Sequence, residues 1–298
     1  ISSLIVAPAT CYQPDEFEAG KKVWGVGLQL YSLRSDRNWG IGDFSDLRTA
    51  IEILAPHGVQ LLGLNPLHAL FMLQAHKASP YSPSSRNFLN PVYLDIEAIA
   101  EYPQCSEARQ RVDSEDFQAS LQALRAQYLI DYPRVWKNKS ELLKILYRGF
   151  RREHLNSNSA RAGEFRRFQQ QGGAALFKFG LFEALQAFFF ERDTAMDSWQ
   201  LWPEDYKNPD SKAVDEWAST HIDEIEFHHY LQWISDQQLE SVQLACRQQG
   251  MCLGIYRDLA IGNEKAGALC WAEQSEYALG MGIGAPPDDF NLKGQDWG

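Results

Sequence analysis

The sequence is poor in cysteine, in basic charge and in long apolar runs, and each shortage closes a class of reading. The five cysteines, Cys11, Cys105, Cys246, Cys252 and Cys270, are odd in number, scattered, and include no C-x-x-C pair. That pattern does not make a disulfide framework; it fits free thiols in a reducing compartment, so the expected location is cytoplasmic. Lysine and arginine total 28 against 39 aspartates and glutamates, a net charge of −11. An acidic chain lacks the cations that neutralise phosphates, so neither nucleic acid nor an anionic membrane is expected as a partner. No apolar run approaches the roughly 20 residues of a spanning helix. Residues 1–5 have neither the basic head nor the apolar core of a signal peptide. There is no internal repeat and no low-complexity tract. Gly280, Gly282 and Gly284 alternate without a phosphate-binding lysine after them. Glu224 and His228 are four apart, but two ligands do not make a metal site, and the neighbouring His229 points about 100° away on a helix. No metal, nucleotide or other cofactor is expected.

What remains is a chain of 298 residues, 45% hydrophobic, with room for a sizeable core. Nine tryptophans, twelve tyrosines and sixteen phenylalanines exceed what a core alone asks for and supply flat faces of the kind that hold sugars. Residues 1–21 read as the tail of a preceding domain and a linker. Val26-Gly-Leu-Gln-Leu-Tyr31 then reads as a buried strand. Asp43 is placed to cap a helix carrying Leu47, Ile51 and Leu54, with Gly58 as its stop. Val59-Gln-Leu-Leu-Gly-Leu64 is a second strand, and strand, helix and strand imply parallel pairing. A long polar loop with Asn65-Pro-Leu-His68 and Ser79-Pro-Tyr-Ser-Pro-Ser-Ser85 completes a unit spanning 22–100, in which Asn90 before Pro91 reads as a turn residue. Residues 101–228 read as mainly helical: Phe117, Leu121 and Leu124 recur at helical spacing, as do Leu142, Ile145, Leu146 and Phe150. Phe165 and Phe168 precede a Gly172-Gly173 break, and an apolar stretch follows it. In 229–298 a helix from about 228 to 249 stops at Gly250, Cys252-Leu-Gly-Ile-Tyr256 is a third strand, and the end is a loop dense in Gly, Pro and Asp. The fold class expected is α/β: the N-terminal part of a (β/α)8 barrel, strands one to three, with a large helical insertion after strand two. Loops rich in polar residues directly after strands lie where such barrels keep their sites.

These loops also carry a resemblance. Gln29-Leu-Tyr-Ser-Leu-Arg-Ser35 with Asn38-Trp-Gly-Ile-Gly-Asp-Phe44 resembles the first strand and loop of the amylomaltases, bacterial 4-α-glucanotransferases. Ser79-Pro-Tyr-Ser-Pro-Ser-Ser85 with Asn90-Pro91 resembles their first substrate loop. Gly284-Ala-Pro-Pro-Asp288 through Gly294-Gln-Asp-Trp-Gly298 resembles the loop after their third strand. Trp202-Pro-Glu-Asp-Tyr206 is similar to the helical insertion of the enterobacterial branch. The resemblance implies a retaining transglycosylase that passes α-1,4-glucan segments between maltodextrins through a covalent glucosyl-enzyme. Its partners would be maltodextrins and other α-1,4-glucans; no oligomeric state is implied. The family's carboxylate contexts, similar to R-I-D-H, G-E-D-L-G and T-H-D, do not occur in these residues. The chain is therefore expected to hold substrate-binding subsites with no catalytic residue, as an inactive fragment. Three unpartnered strands are expected to expose Leu28, Leu62 and Leu253.

Each candidate residue has a plain reading beside the functional one. Tyr81, between prolines, either anchors its loop or stacks on a pyranose ring. Ser84 and Ser85 either bind sugar hydroxyls or satisfy their own backbone. Asp288 either caps a turn or takes two adjacent hydroxyls. Gln295 offers an amide and Trp297 an indole face in the same loop. Asp258 follows the third strand directly, as a helix cap, a salt-bridge partner or a site residue. The resemblance implies sugar contact for all seven. Trp199 and Trp202 could form a remote glucan platform but fit packing within the helices better. Two other functions stay open: a non-catalytic α-glucan-binding module, and a helical interaction scaffold on 105–228, which leaves the strand-end loops unexplained.

Overall fold

The computed structural model describes residues 7–296 apart from 12, 19 and 21. The strands are β1 (Gly25–Leu28), β2 (Leu61–Leu64), β3 (His68–Ala69), β4 (Ser85–Leu89), β5 (Gly254–Arg257), β6 (Gly284–Ala285) and β7 (Gln295–Asp296). The helices are α1 (Asp15–Glu18), α2 (Phe44–Leu54), α3 (Ser106–Val112), α4 (Glu115–Arg125), α5 (Tyr132–Phe150), α6 (Ala160–Arg192), α7 (Glu204–Lys207), α8 (Lys212–Thr220), α9 (Ile222–Gln248) and α10 (Ala268–Ala272).

The three apolar runs pair as one parallel sheet in the order β1-β2-β5. Val26, Leu62 and Ile255 lie abreast, as do Gly27, Gly63 and Tyr256. Residues abreast share a face. One face carries Leu62 and Leu64, buried with Leu47 and Ile51 of α2 and Val242 and Cys246 of α9. The opposite face carries Gly27, Gly63 and the exposed Tyr256. The expected apolar exposure is thus corrected. Leu62 is fully buried and Leu28 and Leu253 are half-buried, because α2 and α9 cover the face that holds Leu62; the open face is largely glycine.

Asp43 caps α2 through the Ser45 and Asp46 amides, and Asp46 returns the bond to the Asp43 amide. Two reciprocal bonds of this kind satisfy orphan donors at a helix start. The first strand ends earlier than its apolar pattern, at Leu28, because residues 30–32 form a 3₁₀ turn whose first amide is held by Asn65. The antiparallel β3–β4 pair has no counterpart in the sequence reading.

Two further cores lie away from the sheet. One gathers Phe117, Leu142, Leu146, Phe150, Phe165 and Tyr230 from α4, α5, α6 and α9. The other sets Phe182 and Phe189 of α6 against Trp199, Trp202, Trp217 and Trp271. Trp199 and Trp202 are therefore core residues. The Gly172-Gly173 break appears as a kink within α6, where Gly173 has φ 52°. By length and composition the 33-residue α6 is long and apolar enough to cross a membrane, which a search for unbroken apolar runs misses because Lys178, Glu183 and glutamines interrupt it. More than half of that stretch is buried against the tryptophan core. The boundary drawn at 228 falls inside α9, which starts at Ile222; Asp223 and Glu224 are first-turn acids, favourable at a helix N-terminus.

Candidate functional site at the strand ends

The segments that leave β1 and β2 are locked together before they can present anything. The Leu30 amide donates to Asn65 Oδ1 at 2.7 Å, and Asn65 Nδ2 donates to the Tyr93 hydroxyl at 3.0 Å. The motif at 38–44 builds this frame too. Trp39 is buried, with its indole N–H donating to Glu97, and Asn38 donates to Asp46. Arg37 pairs with Asp43, Asp46 and Asp95. Lys139 of α5, fully buried, donates from Nζ to the carbonyls of Val92 and Leu94, each at 2.7 Å. Burial pulls this lysine down to about 8, against the pull of Asp43 and Asp95. Asp43 is raised, chiefly by burial, against Lys139 and Arg37. The loop after β1 is thus fixed from behind by charges shared with the helical segment.

The loop between β2 and β4 carries Tyr81, which stands 55% exposed. Its phenol is held above the usual range by partial burial, then by the nearby charge of Asp258. Asp258 is exposed, directly after β5; its amide donates to the Leu64 carbonyl and its Oδ1 accepts from the Leu259 amide. Tyr81, from the loop between β3 and β4, and Asp258, directly after β5, thus lie near one another. Ser84 and Ser85 are buried, at 0% and 1% exposure. Ser84 Oγ accepts from the Ala268 amide and Ser85 Oγ from the Asn87 amide. Their hydroxyls are thus engaged in holding the loop.

The segment after β5 is clamped by residues far upstream. Arg86 donates from its amide to Asn263 and from its guanidinium to the carbonyls of Ala260 and Ile261. His68 Nε2 accepts from the Ala260 amide. Burial, with Arg86 and Arg257 nearby, lowers His68, so the ring is neutral and able to accept. Gly267 lies so close to the Ser84 backbone that an added Cβ would sit 2.5 Å from the Ser84 carbonyl oxygen.

On the far side β6 and β7 form a hairpin, with Gly284 opposite Asp296 and Ala285 opposite Gln295. Asp288 Oδ1 accepts from the amides of Phe290 and Asn291, so this carboxylate caps the hairpin turn. Gln295 stands on β7 at the surface. Trp297 lies outside the described residues. Between hairpin and Tyr81 loop is a cavity of about 440 Å³, walled by Tyr81, Asn263, Glu264, Lys265, Ile283 and Asp296. It offers an aromatic face, an amide, both signs of charge and an apolar side, the mixture that a neutral polyhydroxyl ligand uses. Asn263, Glu264 and Lys265 have no motif of their own, and their position after a strand is the available signal; Asp296 lies within the Gly294-Gln-Asp-Trp-Gly298 motif, where only Gln295 and Trp297 stand out as sugar contacts. Among the described residues no group of three or more His, Cys, Asp or Glu is arranged to hold a metal.

Comparison with known proteins accords with this geometry. A family model described as 4-alpha-glucanotransferase, glycoside hydrolase family 77, matches residues 28–298. The chain is 37% identical over 297 residues to a 4-alpha-glucanotransferase of Haemophilus influenzae, covering 99% of this chain and 42% of that protein. It is 36% identical over 304 residues to one of Mycobacterium tuberculosis, covering 99% and 40%. In structure it resembles amylomaltase from Corynebacterium glutamicum, with a TM-score of 0.72, 30% identity, and coverage of 95% of this chain and 36% of that one. An amylomaltase from Streptococcus agalactiae solved in complex with acarbose shares the fold at a TM-score of 0.71 and 20% identity, over 93% and 52%. The chain thus spans about two fifths of the length of these curated relatives. With nearly its whole length under one family model, the chain belongs to the 4-alpha-glucanotransferase family, glycoside hydrolase family 77.

Proposed function

We propose that this chain supplies glucan-binding subsites of a 4-α-glucanotransferase that moves α-1,4-glucan segments between maltodextrins by retaining double displacement. In this reading β1, β2 and β5 are the first three strands of a (β/α)8 barrel, and the helices between β4 and α9 are an insertion after its second strand. The observation that carries the reading is the 440 Å³ cavity between the β6–β7 hairpin and the loop that carries Tyr81, beside the segment that leaves the parallel strand β5 at Asp258. Strand C-terminal ends are where barrel enzymes gather their sites. Tyr81 offers a half-exposed ring for a pyranose face, and Asp258 accepts from sugar hydroxyls while orienting the phenol. Asn263, Glu264 and Lys265 complete the contacts. Asp288 shapes the hairpin on which Gln295 stands, and the sequence resemblance assigns Trp297 to the same glucan contacts.

Retention requires a nucleophilic carboxylate and an acid/base carboxylate about 5 Å apart. The family's sequence contexts for them do not occur in these residues, so the covalent step is assigned to other parts of the whole protein and this chain to binding. The scattered free cysteines fit a cytoplasmic setting.

The test is glucose release from maltotriose by the full-length protein and by Tyr81→Ala and Asp258→Asn variants, beside maltotriose titration of the 298-residue chain. Turnover by the full protein, weaker maltotriose binding in both variants, and binding without turnover by the chain alone are expected. Loss of one stacking face should weaken binding by about 1 kcal/mol. Binding without turnover by the full-length protein would establish the non-catalytic module instead. Turnover by the chain alone would place the carboxylates within it.

A further inference from the structure

Residues 261–265 form one wall of the Tyr81 cavity. At the start of that wall the Ala260 amide donates to His68 Nε2 at 3.2 Å. Arg86 Nη1 holds the other side of the same stretch, donating to the carbonyls of Ala260 and Ile261, each at 3.0 Å. Further on, the Glu264 amide donates to the Pro83 carbonyl at 2.8 Å and the Ala268 amide to Ser84 Oγ at 2.9 Å. These fastenings differ in one chemical respect. Carbonyls and hydroxyls do not titrate near neutral pH, and a guanidinium keeps its proton. An imidazole alone changes its hydrogen-bonding role there. The half-buried ring of His68 on β3 is therefore the one fastening of the wall that a proton can undo.

We infer that His68 is a positioning residue for the glucan site: its neutral ring latches the cavity wall at Ala260, and its protonation releases that latch and weakens glucan binding. The inference rests on the reading of the Tyr81 cavity as a glucan site. A neutral imidazole has one nitrogen that accepts; an imidazolium has two donors and no acceptor. A proton on Nε2 would set N–H against the Ala260 N–H, so the bond is lost outright. Three charged groups face the ring: Arg86 from β4, Arg257 at the end of β5, and Asp258 just after it. Burial first, then the two guanidinium groups, lower His68 from its ordinary 6.5, with Asp258 opposing them. The latch is thus closed at neutral pH and opens as pH falls below 6.5. Release is local. The Asp258 amide stays on the Leu64 carbonyl, and Asn263 Oδ1 still accepts from the Arg86 amide at 3.0 Å, so the loosened stretch lies between those two residues. Arg86 keeps both of its carbonyls, so the wall shifts without unfolding, and the effect falls on affinity.

The experiment measures KM and kcat for glucose release from maltotriose by the full-length protein between about pH 7.5 and 4.5. The natural protein is compared with His68→Gln, whose Oε1 can take the place of Nε2, accepts a hydrogen bond and does not titrate. Below pH 6.5 the natural KM is expected to rise roughly three- to tenfold, the worth of one hydrogen bond. His68→Gln should remove most of that rise, while the kcat profiles of the two proteins keep the same shape. A KM that rises equally in both, or that does not rise in the natural protein, would overturn the latch. A second measurement needs no variant. In hydrogen exchange, corrected for intrinsic rates, protection of the Ala260 amide should fall by a similar factor from about pH 7 to 5, while the Asp258 amide keeps its protection. Equal behaviour of the two amides would also overturn the latch, and this comparison decides if the glutamine is not accommodated. Failure of the natural protein to release glucose at any pH would overturn the glucan reading of the cavity, and Ala260 protection would then still decide the role of His68.

Discussion

Glu183 lies on α6 at 8% exposure, and its carboxyl makes no hydrogen bond or ion pair with another described residue. It borders a void of about 10 Å³, beside Phe179, Leu231 and His228. A void of that size is at the limit of what holds a water molecule, so the carboxyl is poorly solvated. Burial alone raises Glu183 from 4.5 to about 8, and burial first, then His229 and Lys144, lowers His228 to about 3. At neutral pH both groups are uncharged and do not form an ion pair. The folded state thus holds a proton that the unfolded chain releases. Below pH 4.5 both states are protonated and stability is full. As pH rises from 4.5 to about 8 the unfolded carboxyl ionises and the folded one does not, so stability falls across that window. The interval corresponds to a few kcal/mol, up to about 5. Glu183→Gln keeps the shape and removes the titration. Its buried amide adds a pH-independent offset of about 1–3 kcal/mol for unmade hydrogen bonds. The readout is therefore the slope. Thermal midpoints of the two proteins, measured from pH 4 to 9, should diverge between about pH 5 and 8 in favour of the variant. Curves that stay parallel through that window would refute the reasoning, because Glu183 would then ionise as freely folded as unfolded.

Lys139→Met should cost about 3–5 kcal/mol in urea unfolding, because the Val92 and Leu94 carbonyls lose their donor and three aspartates keep Arg37 alone. Gly267→Ala should cost about 1–3 kcal/mol, since the added carbon meets backbone of Ser84 and Glu264, which cannot rotate away. In hydrogen exchange its effect should concentrate at residues 260–269, and a uniform loss over the whole chain would argue against a local clamp.

What could be read from the sequence was local. Asp43 and Gly58 bound α2 because a cap and a left-handed stop are written in adjacent residues. Asn90 caps its own turn through the Val92 amide for the same reason. Leu121, Leu142 and Phe150 fall where helical spacing puts them. What could not be read depended on partners far along the chain. Ser84 looks like a loop serine until Ala268 arrives 184 residues later to donate to it. Trp39, in a polar glycine-rich motif, gives no sign that Phe117 will pack edge-on against it at 5.2 Å. His68 and Arg86 carry no local signature of the segment they hold. Many of the rings in the aromatic excess are core, and Tyr81 is among those that stand exposed.

The clamp on the segment after β5 also bears on the order in which the molecule assembles. Its hydrogen bonds reach back 174 to 192 residues, to His68, Ser84 and Arg86. Closing an unstructured loop of that length costs on the order of 5 kcal/mol before any contact compensates. The intervening helices α3 to α9 make their own core and shorten the effective loop once formed, so nucleation belongs to them and the cleft walls meet late. Amides of residues 258–267 should then be the last protected in refolding, after those of α5 and α9. Chaperone dependence would attach to that delay: the two halves of the cleft flank the helical segment in sequence, and that segment must be folded before they can find each other.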